Sequence, residues 1–267
     1  MLNDEIEQLP VTLRRERMLQ VISERQFVRV ADLSDTFGIS DVTVRADLAA
    51  LETSHAVRRV RGGAIAPLGA GRTEPSYEES SVELSGEKQR IGEAAAAMVS
   101  SGMSVLLDVG TTTTAIARAL VARTDLEQVV VITNGLTVAL ELEDAVGRIT
   151  VVVTGGTLRR LQHSLVNPMA TVLLDRLHAD LGFIGCNGID VEHGVTNLNL
   201  PEAEVKARMI AAAQRVVVTA DGSKLGQVHL GRVAGLDEVD TLVTGPSAPV
   251  QEVVRLRRAG LDVLQVE

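Results

Sequence analysis

Asp108-Val109-Gly110-Thr111-Thr112-Thr113-Thr114 is the stretch on which the reading of this chain turns. Ahead of it lies a short apolar run, Ser104-Val105-Leu106-Leu107, with the continuous hydrophobicity of a buried strand. Behind it, Ala115-Ile116-Ala117-Arg118-Ala119-Leu120 reads as a helix. A strand, a glycine turn with hydroxyls and a helix start together make an anion site, because free N–H groups point outward and the helix dipole favours negative charge. The glycine lets the backbone come close, and the threonine hydroxyls add donors. One reading is a cradle for the phosphate of a small metabolite. The other is a threonine-capped helix start, and the stretch alone does not choose between them.

Toward the carboxyl end, strands and helices alternate. The pattern predicts a helix over 87–100 ending at Gly102, a strand over 105–109 and a helix over 112–122. A strand over 128–133 exits at Asn134-Gly135, a helix runs to Leu142, and a strand over 149–153 leaves through Gly155-Gly156. A helix over 168–177 leads to a strand over 181–184. A helix over 201–213, with proline in its first turn, leads to a strand over 215–220 that exits at Asp221. The tail reads as strand 241–243, helix 248–258 and strand 261–266. Valine-rich strands between helices predict an α/β unit with a mostly parallel sheet covered on both faces. Ligands of such sheets gather at the carboxyl ends of strands. Gly110, Thr133-Asn134-Gly135, Gly155-Gly156 and Asp221 all fall there, so four loops are expected to converge on one rim.

Toward the amino end, residues 67–86 are small, polar and acidic and read as a linker, partly ordered around Glu74-Pro75-Ser76-Tyr77. Residues 11–66 read differently. Val11 to Glu24 is a helix with Arg14, Arg15 and Arg17 on its wet side, Val28–Val30 an extended link, and residues 30–37 a short helix stopped by Gly38. Ser40 then caps a third helix over 41–53, with Asp41 in its first turn. Two short helices around a glycine turn make a helix-turn-helix. Val44, Leu48 and Leu51 fall on one stripe and should be buried. The opposite face carries Val42, Ala46 and Ala49, flanked by Thr43 and Arg45. In a major groove Arg45 and Thr43 are the polar readers, and Val42 and Ala46 can meet thymine methyls. Arg58-Arg59-Val60-Arg61-Gly62-Gly63 reads as a hairpin, a wing that carries three arginines to the phosphate backbone. The DNA-facing set on this reading is Arg14, Ser40, Asp41, Val42, Thr43, Arg45, Ala46, Arg58, Arg59 and Arg61.

The bulk numbers set bounds. With 267 residues, 45% hydrophobic, the chain suits one large or two medium domains with a proper core. A single cysteine, Cys186, excludes a disulfide framework and a cysteine-based zinc site and fits a reducing cytoplasm. Met1-Leu2-Asn3-Asp4-Glu5 has neither the basic nor the apolar part of a signal peptide, and no apolar run approaches the roughly 20 residues of a membrane span. The expectation is a soluble, cytoplasmic protein without membrane contact. The five histidines form no ligand-like i,i+4 pair, so neither metal nor cofactor is expected. Net charge is −9, yet residues 13–64 carry +2 and residues 65–267 carry −8. A locally basic module on an acidic body suggests a polyanion-binding part joined to one that must avoid polyanions.

At this point the residues resemble a known family. Ser40-Asp41-Val42-Thr43-Val44-Arg45-Ala46-Asp47-Leu48, Leu51 and Arg59-Val60-Arg61-Gly62-Gly63-Ala64 look like the winged helix of DeoR-type bacterial transcription regulators. The chain departs from the family's pattern at Ala46, where a second arginine is usual, at His55, usually glycine, and at Arg61, usually histidine. Lys88, Asp108–Thr112, Thr133–Leu136, Gly155-Gly156, Gly194–Thr196, Glu202, Glu204–Lys206 and Asp221–Lys224 are similar to the family's sensor domain, with Asn167 where glycine is common. That resemblance implies a ribose-5-phosphate-isomerase-like fold over 87–267 and a phosphorylated sugar as effector. Carried over residue by residue, it implies that Lys88, Thr111, Thr112 and Thr113 hold the phosphate. Asp108, Asn134, Asp190, Glu202, Lys206, Asp221 and Lys224 would hold sugar hydroxyls or brace the loops, with Gly110, Gly155 and Gly156 shaping the backbone.

Two functions follow from different classes. One is a repressor of carbohydrate-metabolism genes that binds operator DNA as a homodimer or higher homo-oligomer and is controlled by a sugar phosphate. The other is an aldose–ketose phosphate isomerase with an accessory amino-terminal module. Isomerisation needs a carboxylate base at the substrate's α-carbon. In the isomerases a glutamate precedes the lysine of the corresponding segment; here Val205 precedes Lys206, which favours the regulator, with Glu204 or Glu202 pointing inward as the alternative source of a base.

Overall fold

The computed structural model describes residues 10–25, 27–53, 57–60, 62–65 and 74–267. Two compact units divide between Thr73 and Glu74.

The first unit contains helices α1 (Val11–Arg25), α2 (Val30–Phe37) and α3 (Asp41–Thr53). Strands β1 (Phe27–Arg29), β2 (Arg58–Val60) and β3 (Gly63–Ile65) form an antiparallel sheet in the order β1-β3-β2. Helix α2 stops where Gly38 turns left-handed, at φ 64°. Helix α3 starts as its cap dictates: Ser40 Oγ accepts the Thr43 N–H at 3.2 Å. Met18, Ile22, Leu33, Phe37, Val44 and Leu48 form the core, so the predicted stripe on α3 faces inward. The link expected at 28–30 is instead a strand. Phe27–Arg29 pairs with β3, and a Cβ added at Gly63 would sit 2.3 Å from the Val28 carbonyl oxygen, which is why glycine stands there.

The second unit opens with α4 (Tyr77–Val82) and α5 (Ser85–Ala96). Residues 74–86, expected as linker, belong to it. Ser76 and Glu79 form a reciprocal capping box, and Tyr77 is buried with its hydroxyl on Thr114. Seven strands follow in one parallel sheet: β4 (Ser104–Leu107), β5 (Val129–Thr133), β6 (Ile149–Val153), β9 (Ala179–Gly185), β12 (Ala213–Thr219), β14 (Thr241–Thr244) and β15 (Asp262–Gln265). Between them run α6 (Thr111–Ala122), α7 (Leu136–Glu141), α8 (Met169–Leu174), α9 (Leu200–Ala212) and α10 (Val250–Arg258). Alternate residues of one strand enter opposite layers: Val105, Leu107 and Val217 pack with α5 and α6, while Leu106, Val216 and Val218 pack with α9. Two small elements lay outside the sequence-based expectation. One is the hairpin β7 (Thr157–Arg159) and β8 (Ser164–Val166); the other is the antiparallel sheet of β10 (Gly188–Asp190), β11 (Gly194–Asn197) and β13 (Gly231–Ala234). The helix expected over 87–100 ends at Ala96.

Strand order is β15-β14-β12-β9-β4-β5-β6. The chain runs from β4 outward to β6, then crosses back to β9 on the other side of β4 and continues outward to β15. Order therefore reverses between β4 and β9. In a parallel α/β sheet such a reversal leaves a crevice beyond the strand ends, because the connections on its two sides depart in opposite directions.

Candidate functional site

In the first unit the exposed face of α3 is the candidate DNA interface. Val42 is 73% exposed, Ala46 is exposed, and Arg45 stands 61% exposed with a loose i,i+4 pair to Asp41 at 3.5 Å. Ser40 Oγ and Thr43 Oγ1 lie 2.9 Å apart at the start of the helix. Arg59 lies on β2, where its Nε donates to Glu52 at 2.6 Å and its backbone N–H to the same carboxylate at 3.0 Å. These hydrogen bonds hold the Glu52 carboxyl below its ordinary value. The side chain of Arg58 and all of Arg61 lie outside the described residues.

Arg14 has a different place from the one expected. Its Nε donates to Asp47 at 2.7 Å, and Arg15 donates to the other oxygen at 2.8 Å. Asp47 is 2% exposed, so α1 and α3 are clamped through a buried carboxylate. Burial works to raise the Asp47 pKa, but the two arginine hydrogen bonds outweigh it and hold the carboxyl down. Arg14 is committed inside the unit. The helical spacing had put it on the wet side because no pattern within α1 announces a partner on α3.

In the second unit the crevice between β4 and β9 collects buried charge. Asp108, directly after β4, is fully buried; its Oδ2 accepts from the Gly185 N–H at the end of β9, at 3.0 Å, and from the Lys206 ammonium. Its Oδ1 has no hydrogen-bond partner. Lys206 and Glu202 both sit on α9, where an i,i+4 surface pair is one expectation, yet both are 3% exposed and each points to a partner elsewhere. Burial works to lower the Lys206 pKa; Asp108 and then Glu202 outweigh it and hold the ammonium charged. Glu202 Oε1 accepts from Arg159 Nη1 at 2.8 Å and from Ser164 Oγ, and Arg159 also holds Glu74. Cys186 lies among these groups, and burial pushes its thiol up to about 12, which leaves it without a nucleophilic thiolate.

Lys88 lies beside this cluster. Its ammonium donates to the carbonyls of Ser80 and Glu83 at 2.6 and 2.8 Å and lies 3.8 Å from Asp221. Burial lowers its pKa, Asp221 opposes the fall, and the charge of Lys224 adds to it. Lys224 has no ion-pair partner among the described residues. Asp221 caps its own turn by accepting from the Ser223 N–H at 3.1 Å. Lys88 and Thr111 both line one open cavity of about 930 Å³ that runs along α5 and α6 past Ala96 and Ala119 to Arg123; Asp108, Glu202, Lys206 and Lys224 are not among its lining residues. Gly110, at φ 139°, gives α6 no side-chain cap, so its first N–H groups lack the usual acceptor.

Several expected residues make bracing contacts within the loops, one of the two roles expected of Asn134 and Asp190. Thr113 and Thr114 donate their hydroxyls back to the Gly110 carbonyl at 2.9 and 2.8 Å, which leaves Thr111 and Thr112 to add donors. Asn134 accepts from the Val109 N–H at 3.1 Å and holds the Leu165 carbonyl. Asp190 lies on β10, where it caps its own turn through the N–H groups of Glu192 and His193. The four loops do share the carboxyl edge of the sheet, but β6 and β12 are four strand spacings apart, about 19 Å. Gly155-Gly156 and Asp221 therefore follow strands on opposite flanks of the crevice. The two glycines instead turn the chain into the β7–β8 hairpin, which reaches back toward the crevice with Arg159. Arg159, Glu74, Arg118 and Glu87 escaped sequence reasoning. Glu87 is buried and accepts from Gly222 and Ser247, 135 and 160 residues away, and no local pattern encodes such a pairing.

Comparison with known proteins bears on both units. Residues 14–68 match the DeoR-like helix-turn-helix domain, and residues 83–246 match the DeoR C terminal sensor domain. The chain belongs to the DeoR family. A protein of Escherichia coli O157:H7, named for transcriptional repression of the aga operon, is 36% identical over 254 residues, covering 95% of this chain and 93% of its own. The HTH-type transcriptional regulator GlpR of Haloferax volcanii is 34% identical and the repressor GlcR of Bacillus subtilis 33%; each covers 94% of this chain, and 96% and 94% of their own lengths. A ribose 5-phosphate isomerase of Methanocaldococcus jannaschii aligns over 51% of this chain and 52% of its own at 19% identity, with a TM-score of 0.38. As a member of the DeoR family the chain is a DNA-binding transcriptional regulator, not an enzyme. No helix among the described residues is long and apolar enough to cross a membrane.

Proposed function

We propose that this regulator represses genes of carbohydrate metabolism in the cytoplasm, and that a small phosphorylated sugar bound in the sensor unit sets its affinity for operator DNA. It acts as a homodimer or higher homo-oligomer, since paired half-sites call for paired recognition helices. The observation that carries the sensor reading is Asp108 Oδ1, a fully buried carboxylate oxygen without a partner at the reversal of strand order. A buried acceptor of this kind is costly until a donor reaches it, and a sugar hydroxyl is such a donor. The phosphate belongs on the cationic side, where the start of α6, Thr111, Lys88 and Lys224 supply N–H groups, a hydroxyl and two ammonium charges. On the DNA side, Arg45, Thr43, Val42 and Ala46 read bases while Arg58, Arg59 and Arg61 meet phosphates. A relative from Escherichia coli K12, 26% identical, is named as a glycerol-3-phosphate regulon repressor, and that name supports control linked to a small phosphorylated metabolite.

Thermal-shift measurement across a panel of phosphorylated sugars tests this. One member should raise the melting temperature by about 5 °C or more at a hundredfold excess over Kd, and its unphosphorylated counterpart should not. Lys224→Ala and Thr111→Val should each cut that shift by half or more. If no phosphorylated sugar shifts the protein, or both variants respond as the wild type does, the proposed site is wrong.

A further inference from the structure

One group of contacts in the sensor unit lies outside its two apolar clusters and joins the charged crevice to the first residues of the unit. Arg159, at the end of β7, shares its guanidinium between two carboxylates. Nη1 donates to Glu74 at 2.9 Å and to Glu202 at 2.8 Å, and Nη2 donates to the second oxygen of Glu74. Glu202 belongs to the crevice. Glu74 belongs to the segment that enters the unit from the DNA-binding side.

Further polar contacts lay this segment along the β7–β8 hairpin. Gln162 donates to the Pro75 carbonyl at 2.6 Å, and the Tyr77 N–H donates to the Leu161 carbonyl at 2.8 Å. The Tyr77 ring lies 5.1 Å from that of His163, and His163 Nε2 is 3.2 Å from Glu78. The Tyr77 hydroxyl donates to Thr114 on α6 at 3.1 Å, and Lys88 holds the Ser80 carbonyl. The apolar contribution is small. Within α4 only Tyr77 is buried, and Val82 is 79% exposed. A segment held by hydrogen bonds and one aromatic ring comes from the low-stability end of a fold and opens without unfolding the rest.

The electrostatics give the closed arrangement a direction. Glu74, Glu202 and Asp108 crowd two cations, Arg159 and Lys206. Burial raises the Glu74 pKa, and the charge of Glu202 adds to that rise against the pull of Arg159. A ligand that brings hydroxyl donors to these carboxylates offsets the cost of keeping them buried, and so favours closure.

We propose that residues 74–82 form a strap, latched by Glu74 and Arg159, whose docking on the β7–β8 hairpin is tightened when the crevice is filled. The coupling rests on the sugar-phosphate reading above; the latch does not. Because the strap is the segment next in the chain to the DNA-binding unit, its release adds residues 74–82 to the stretch between the two units. Effector occupancy would thereby act on how freely paired recognition helices can be spaced.

Hydrogen exchange on the full chain, read by mass spectrometry peptide by peptide, tests both parts. Ribose 5-phosphate, glucose 6-phosphate and glycerol 3-phosphate serve as probes, with inorganic phosphate as a control. Glu74→Gln should speed exchange over 74–82 by about tenfold or more, as loss of a charge-assisted pair implies, while β4, β9 and β12 keep their protection. Unchanged exchange in the strap, or loss of protection in strap and core strands together, overturns the latch. In the wild type, any probe that raises the melting temperature should slow exchange over 74–82, and less so in Glu74→Gln. A probe that stabilises the protein and leaves the strap unchanged overturns the coupling. Should no phosphorylated sugar bind at all, the sugar-phosphate reading and the coupling fall together, and the Glu74→Gln exchange data decide the latch by themselves.

Discussion

Asp47 shows how a single residue can hold a unit and still be absent from any motif's functional logic. The carboxylate is buried against Arg14 and Arg15, and it lies between Ala46 and Leu48 on the very helix whose other face is the candidate DNA interface. Removing one partner of a buried pair leaves the remaining charge without compensation. Asp47→Asn should cost about 3 kcal/mol of first-unit stability, measured by denaturant unfolding followed with a probe in that unit. The pH dependence has a defined sign. A carboxylate whose folded pKa lies below its unfolded value contributes stability above the unfolded value, and that contribution disappears as pH falls through the folded one. The wild type should therefore lose first-unit stability below about pH 4, and Asp47→Asn should show a flatter acid limb. Lys206 and Glu202 carry the same lesson from the opposite side. Their i,i+4 spacing on a helix suits a surface pair, and only the tertiary partners Asp108 and Arg159 show them to be interior groups.

At the scale of elements, the parallel strands and their glycine exits were legible because continuous valine runs and turn residues are local signals. Helix α3 was legible from Ser40 and the Val44, Leu48, Leu51 stripe. The hairpin β7–β8 and the sheet β10-β11-β13 were not, since runs of three or four residues are too short to show a period of two. Gly155-Gly156, which sequence reading placed on the effector rim, turn the chain from β6 into that hairpin. Gly156 has φ 126°, and a Cβ built on it would lie 2.1 Å from the Val166 carbonyl oxygen. Gly156→Ala should lower second-unit stability by about 2 kcal/mol or more, read by calorimetry. It should also weaken effector binding, because Arg159 rides on the strand that this glycine starts. Unaltered stability would mean that the β6 exit relaxes freely and that glycine is not required there.

For the molecule as a whole, two units with separate cores imply separable losses. Arg45 makes only a surface pair with Asp41, so Arg45→Ala should change stability by less than about 1 kcal/mol. Operator affinity should fall by about tenfold or more, measured by fluorescence anisotropy, while the effector-induced melting shift stays intact. A large stability loss would make Arg45 structural. The overall division was visible in charge, since the net +2 of residues 13–64 stands against −8 in the remainder after residue 64. The exact division was not. Glu74–Val82 has the composition of a linker, and what fixes it in the second unit are bonds to residues more than eighty positions away.

The reversal of strand order has a further consequence in time. Asp108, Gly185 and Lys206 meet only because the chain returns to the middle of the sheet after completing one flank. A chain leaving the ribosome completes residues 11–65 first, and domains fold as units during synthesis. The helix-turn-helix is thus complete while the crevice between β4 and β9 still lacks its far wall. Each newborn copy passes through an interval in which its recognition helix can fold while the buried pair of Asp108 and Lys206 cannot yet form.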